Sequence, residues 1–195
     1  MADYHNLIYF KNADSLYVNL IVPSEVAWQR KNGAIRLRQE TSYPEQDTTR
    51  LRLPMDRPEQ FALCIRVPGW APKLVIRVNG AETSALAKPG TWARIGQLCK
   101  NGDEIVVHIP MELRNIPVDK QHPERVATVY GPVVMVTQTQ LVLPKVMSNI
   151  VPEKNEADGS LMFRARTDRS TTLIPFYRVP YGTPYAMYTD QPKKT

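Results

Sequence analysis

The chain has 195 residues, 43% of them hydrophobic and 23% charged, with a formal charge of +6 and a pI near 9.4. That length builds one well-buried domain or two small ones, and no apolar run approaches the roughly 18 residues of a membrane-spanning helix, so no membrane partner is expected. The basic balance would attract nucleic acid or an acidic polysaccharide, yet Arg36, Arg38, Arg50 and Arg52 alternate with apolar residues, and Glu40, Glu45 and Asp47 lie between the two pairs; this is the pattern of a solvated sheet face, and no nucleic-acid partner is expected.

In chain order, the opening MADYHNLIYF lacks the basic and then apolar regions of a secretory signal, so this chain encodes no signal peptide and its compartment stays open. Ala2 to Ile8 can form one helical turn, with Tyr4, Leu7 and Ile8 on a common face, too short to hold without packing from elsewhere. From there the signal has period two. Ser15 to Val22 is a β-rich run ended by Pro23. Ile35 and Leu37 alternate with arginines, as do Leu51 and Leu53, which predicts a hairpin or longer arch through Tyr43-Pro44-Glu45. Phe61 to Val67, Leu74 to Val78 closed by Asn79-Gly80, Thr91 to Ile95, and Glu104 to Ile109 after Asn101-Gly102-Asp103 follow at sandwich-like spacing.

The polar stretch Asn115 to Glu124, with Pro117 and Pro123, reads as a linker. Beyond it, Val126 to Tyr130, Val133 to Thr137, Leu161 to Arg166 and Leu173 to Arg178 read as strands, and Ser148 to Gly159 as a polar loop. Seventeen prolines fit strand ends and edges. The reading is all-β: an antiparallel β-sandwich, as one or two packed units, with a short N-terminal helical stub. Its divisions are residues 1–10, 11–117 as the sandwich, and 118–195 as a C-terminal β portion packed on or beside it.

Chemistry is sparse in this pattern. Two cysteines cannot supply a structural zinc site alone, and in Phe61 to Val67 the phase sets Cys64 on the face of Arg66, away from the large apolar residues, which predicts free thiols at Cys64 and Cys99 rather than an inter-sheet disulfide. Glu40, Glu45, Asp47 and Glu59 are carboxylates of the type that hydrolyses glycosides, but each lies in a charged, turn-like setting, the mark of surface charge. His5, His108 and His122 have no metal-ligand spacing, and no nucleophile elbow or phosphate-cradling loop occurs. The chain alone is predicted to be inactive. Sugar-binding sandwiches use exposed aromatic rings, and Trp28, Trp70 and Trp92, with Tyr43 and Tyr181, are the rings available; core packing is the commoner use of such residues.

The ordered segments SLYVNLIVPSEVAW, GAIRLRQETSYPEQDTTRLRL, FALCIRVPGWA, IRVNG, PGTWARI, NGDEIVVHIPMELR and RVATVYGPVVM resemble the C-terminal β region of glycoside hydrolase family 127, whose prototypes are β-L-arabinofuranosidases. The likeness covers roughly residues 7 to 136, with weaker echoes at LIPFYRV and Tyr185 to Tyr188. It implies a partner, an N-terminal (α/α)6-barrel catalytic domain, which supplies the cysteine nucleophile and its zinc ligands. Neither Cys64 nor Cys99 matches such a position, so the resemblance implies no catalytic or metal residue here and zinc only in the barrel. Residues 1–10 would be the end of a preceding helical domain, and Val67-Pro68-Gly69-Trp70-Ala71 a structural or interdomain turn. The expected role is an ancillary region bracing the barrel, with a homodimer as a further partner. The alternative is a carbohydrate-binding module that holds glycan through Trp28, Trp70 or Trp92.

Overall fold

After one helical turn, α1 (His5–Ile8), which buries no side chain and lacks a side-chain N-cap, the chain enters strand β1 (Tyr9–Lys11) and pairs it antiparallel with β2 (Ser15–Val18). The computed structural model describes residues 3–31, 33–138, 150–154, 160–165 and 172–190; Ala2 of the expected turn and Arg166 of an expected strand fall outside them. Contacts divide the chain into two compact units, Met1–Pro110 and Met111–Thr195. Among the described residues, no helix is long and apolar enough to cross a membrane.

The first unit is a β-sandwich. Its six-stranded sheet runs in the order β3 (Ser24–Arg30), β4 (Gly33–Thr41), β5 (Thr48–Leu53), β10 (Asp103–His108), β7 (Val75–Val78), β8 (Ala81–Glu82). The four-stranded sheet is β1, β2, β6 (Glu59–Arg66), β9 (Trp92–Cys99). Period-two alternation drives the closure: Ile35, Leu37, Leu51 and Leu53 face inward and are fully buried, and Leu16, Val18, Leu63 and Ile65 meet them from the opposite sheet in one core. Each such side chain withdrawn from water is worth about 1.5–3 kcal/mol. On the outer side, Arg52 bonds Glu40 and Glu104 at 3.0 Å each, and Arg50 bonds Glu104 at 3.1 Å, so the arginine-rich strands form a charge-balanced solvent face. The turn between β7 and β8 is a two-residue hairpin in which Asn79 (φ 50°) and Gly80 (φ 84°) both take left-handed conformations, the geometry that suits Asn-Gly.

Two features depart from the expected sandwich. β2 and β6 pair in parallel, because the chain crosses to the other sheet for β3, β4 and β5 before it returns. β3 is an addition to the expected strands: it is the sheet's edge, its Glu25, Ala27 and Gln29 face solvent, and of its residues only Trp28 is buried.

The second unit is a seven-stranded antiparallel sheet rather than a second sandwich. Its order is β11 (Leu113–Pro117), β12 (Arg125–Tyr130), β13 (Val133–Val136), β16 (Thr172–Pro175), β15 (Leu161–Ala165), β14 (Ile150–Lys154), and β17 (Tyr188–Asp190) pairs with β12. The rings of Tyr130 on β12 and Phe163 on β15 lie 4.8 Å apart, although three strand spacings separate them, about 14 Å on a flat sheet. The sheet therefore curls, and Val126, Val133, Met135, Ile150, Phe163 and Leu173 fill its concave core.

The unit boundary falls after Pro110, ahead of position 117, because Leu113–Pro117 pairs along its length with β12. The expected linker at 115–124 therefore begins as a strand. Ile150–Lys154, read as polar loop, is also a strand; as the terminal strand of its sheet it tolerates Pro152. The rest of that loop, 148–149 and 155–159, lies outside the described residues. The run from Leu173 leaves its strand at Pro175 for a 3-10 turn, Phe176–Arg178.

Candidate functional site

The outer face of the four-stranded sheet brings together aromatic and cationic groups able to contact a partner. Registers set Phe10, Tyr17, Cys64 and Arg94 in one row across β1, β2, β6 and β9, and Arg66 beside Trp92 in the next. Tyr17 meets Trp92 edge to face at 5.1 Å and 84°. The Arg94 guanidinium donates to Ser15 Oγ at 2.9 Å and lies 3.9 Å from Cys64 Sγ, and Asn12 Nδ2 donates to the Tyr17 hydroxyl at 3.1 Å. Phe10 (42% exposed) and Trp92 (37%) remain open to solvent. Such a patch can stack on an apolar or planar surface and donate hydrogen bonds from its rim.

The three sequence-predicted tryptophans do not converge. Trp28 is 4% exposed, edge-on to Phe61 at 5.8 Å, with the Arg30 guanidinium 4.4 Å from its ring; Arg30 in turn bonds Glu59 at 2.6 Å. No face of Trp28 is left for a sugar, which removes it from the candidate platform. Trp70 is half-buried in the turn after β6 and packs on the sandwich core. Trp92 alone offers a substantially open ring. Of the two tyrosines, Tyr43 is buried enough for its hydroxyl pKa to be pushed up to about 12, and Tyr181 is fully exposed in the second unit. Sequence reasoning missed Tyr17 and Arg94 as neighbours of Trp92; the signal lay in Leu16-Tyr17-Val18, where alternation turns Tyr17 opposite to two core residues.

Both thiols are buried. Cys64 is 2% exposed despite its outward phase, because Tyr17 and Arg94 cover it, and burial raises its pKa against the opposing pull of Arg94. Cys99 points into the sandwich core, where burial and then the Asp103 charge push it up to about 12. The two are free and on opposite faces of the sheet. Among the described residues, no three His, Cys, Asp or Glu side chains gather into a ligand set. Of the candidate carboxylates, Glu40 pairs with Arg52 and Asp47 with His108 at 2.9 Å on the surface, whereas Glu59, expected as surface charge in a turn, stands in β6 with its side chain only 11% exposed against Arg30.

A sandwich followed by a curled single sheet makes the described chain all-β. Residues 15–111, nearly the whole sandwich, match the family model for the β-L-arabinofuranosidase GH127 middle domain. A GH127 β-L-arabinofuranosidase from Geobacillus stearothermophilus T6 is similar over 97% of this chain at 21% identity and a TM-score of 0.75. A structure described as a glycoside hydrolase and a GH127 β-arabinofuranosidase each align with 95% of it, at 21% and 20% identity and TM-scores of 0.73 and 0.71. The chain spans only 35%, 37% and 36% of those three structures. No curated protein matches it. The chain is GH127-like, and its sandwich matches that family's middle domain.

Proposed function

We propose that this chain is the noncatalytic, ancillary β region of a GH127-like glycoside hydrolase acting on L-arabinofuranosides, and that it braces an N-terminal helical barrel domain. One observation carries the reading: the sandwich matches a middle domain, a part defined by what flanks it, and the whole chain aligns with about a third of each enzyme it resembles. The buried thiols and paired carboxylates agree with a supporting role. In that role the outer patch of Phe10, Tyr17 and Trp92 is packing surface. The test is to read the genomic sequence upstream of the Met1 codon in frame: a helical domain supports the reading, and an in-frame stop with its own ribosome-binding site contradicts it.

Trp92 favours a second reading, a carbohydrate-binding module, since its open ring stands beside the hydrogen-bonding Arg94 and Arg66. Calorimetric titration with arabinan oligosaccharides decides: saturable heat that Trp92→Ala abolishes supports it, and no heat at millimolar ligand removes it.

A further inference from the structure

We infer that the open side of the sandwich is a cleft for a neutral oligosaccharide, which lies along β9 with one sugar against Trp92 and its hydroxyls on Gln97, Thr83 and Ser84. This rests on the carbohydrate-binding reading above and moves its hydrogen bonds from Arg94 and Arg66 to the sandwich edge. The four-stranded sheet ends at β9 and the six-stranded sheet at β8. Between those edges runs an open groove of about 920 Å³, walled on one side by β9 from Trp92 to Leu98 and on the other by the segment that follows β8. That much strand is about 20 Å long, which suits a chain of several sugars better than a single one.

Gln97 carries the argument. Alternation along β9 buries Ala93, Ile95 and Cys99, and Gln97 shares their phase, yet it stands half-buried on the groove wall. Among the described residues its side-chain amide has no hydrogen-bond partner, and neither has the hydroxyl of Ser84 opposite. Thr83 Oγ1 accepts from Ala85 N–H at 3.4 Å, which leaves its own proton to donate. Amides and hydroxyls both donate and accept, and so do the hydroxyls of a sugar. The backbone of β9 adds to this set. Val67 N–H donates to Thr91 C=O at 2.9 Å, so antiparallel alternation turns the backbone groups of Ala93, Ile95 and Gln97 toward β6 and those of Arg94, Gly96 and Leu98 toward the open edge. Trp92 and, across the groove, Leu86 are 37% and 75% exposed, and they offer apolar surface to the C–H faces of the sugars. An extended peptide would use the same backbone groups, but it takes its specificity from pockets for alternate side chains, whereas hydroxyls face Gln97 here.

Charge narrows the ligand further. Arg94 and Lys100 are balanced in the groove by Glu82 and Asp103, and Arg94, Glu82 and Asp103 are already bonded to Ser15, Arg77 and Asn79. A cleft without net charge favours a neutral glycan over a uronate chain or a nucleic acid.

The test is calorimetric titration of the full 195-residue chain with neutral arabinan and xylan oligosaccharides of increasing length, and with galacturonan oligosaccharides as the acidic probe. The expected result is saturable heat with a neutral glycan, tighter for longer oligomers and weaker for galacturonan. Gln97→Ala and Ser84→Ala, which touch no core side chain, should each weaken binding about three- to tenfold in variants with unchanged circular dichroism. Amides of positions 94, 96 and 98 should shift in NMR spectra as ligand is added. Full affinity in both variants, with binding lost in Trp92→Ala, overturns the cleft and leaves the carbohydrate-binding reading standing. Galacturonan bound as tightly as the neutral glycans also overturns the inference, and no heat with any of the probes overturns both.

Discussion

The two units bury their apolar residues by different means. The sandwich closes one core between two sheets, so every inward strand face meets a facing strand; the C-terminal unit has one sheet and closes its core by curling, with Tyr130 reaching Phe163 across two intervening strands. The lesson is that similar period-two sequence yields either solution, and the choice rests on contacts far apart in the chain. It also separates the roles of aromatic residues: inside, Trp28 and Phe163 hold a core together, while outside, Trp92 holds nothing that the fold depends on.

Substitutions sharpen that contrast in decreasing order of effect. Trp28→Ala should destabilise the sandwich by about 3–5 kcal/mol, since it leaves a cavity against Phe61 and strips the ring beneath Arg30; urea unfolding followed by circular dichroism measures this, and a loss under about 1 kcal/mol would mean that the strand-edge site collapses freely. Phe163→Ala should cost about 3 kcal/mol in the same assay, at the lower end because a curled single sheet can relax inward. Gly80→Ala, at φ 84° with open space around it, should cost about 1–2 kcal/mol from backbone strain alone, visible as a lower midpoint with an unchanged urea slope. Trp92→Ala should cost under about 1 kcal/mol, because its ring is already partly hydrated and loses mainly the edge contact with Tyr17. A Trp92 effect as large as that of Trp28 would erase the distinction between inner and outer aromatics.

Much of the sandwich was legible because Ile35-Arg36-Leu37-Arg38 and Arg50-Leu51-Arg52-Leu53 state both faces of a strand outright, and Asn79-Gly80 announces its own turn. Edge strands were not. Ser24–Arg30 and Ile150–Lys154 each pair on one side only, so solvent-facing Glu25 and Glu153 and a tolerated Pro152 blur the pattern. The candidate site was half legible: the outward phase of Cys64 was readable, but its burial was not, since Tyr17 and Arg94 reach it from other strands. That Trp92 is open while Trp28 is closed follows from which sheet face each strand presents, a tertiary fact with no local signature.

The most direct test of the supporting role is hydrolysis of a nitrophenyl β-L-arabinofuranoside by the purified 195-residue chain with zinc supplied. The account predicts no release of nitrophenol above the buffer rate, with Cys64 and Cys99 resistant to iodoacetamide until the protein is unfolded. Turnover that Cys64→Ala or Cys99→Ala abolishes, in a variant that still folds, would contradict it.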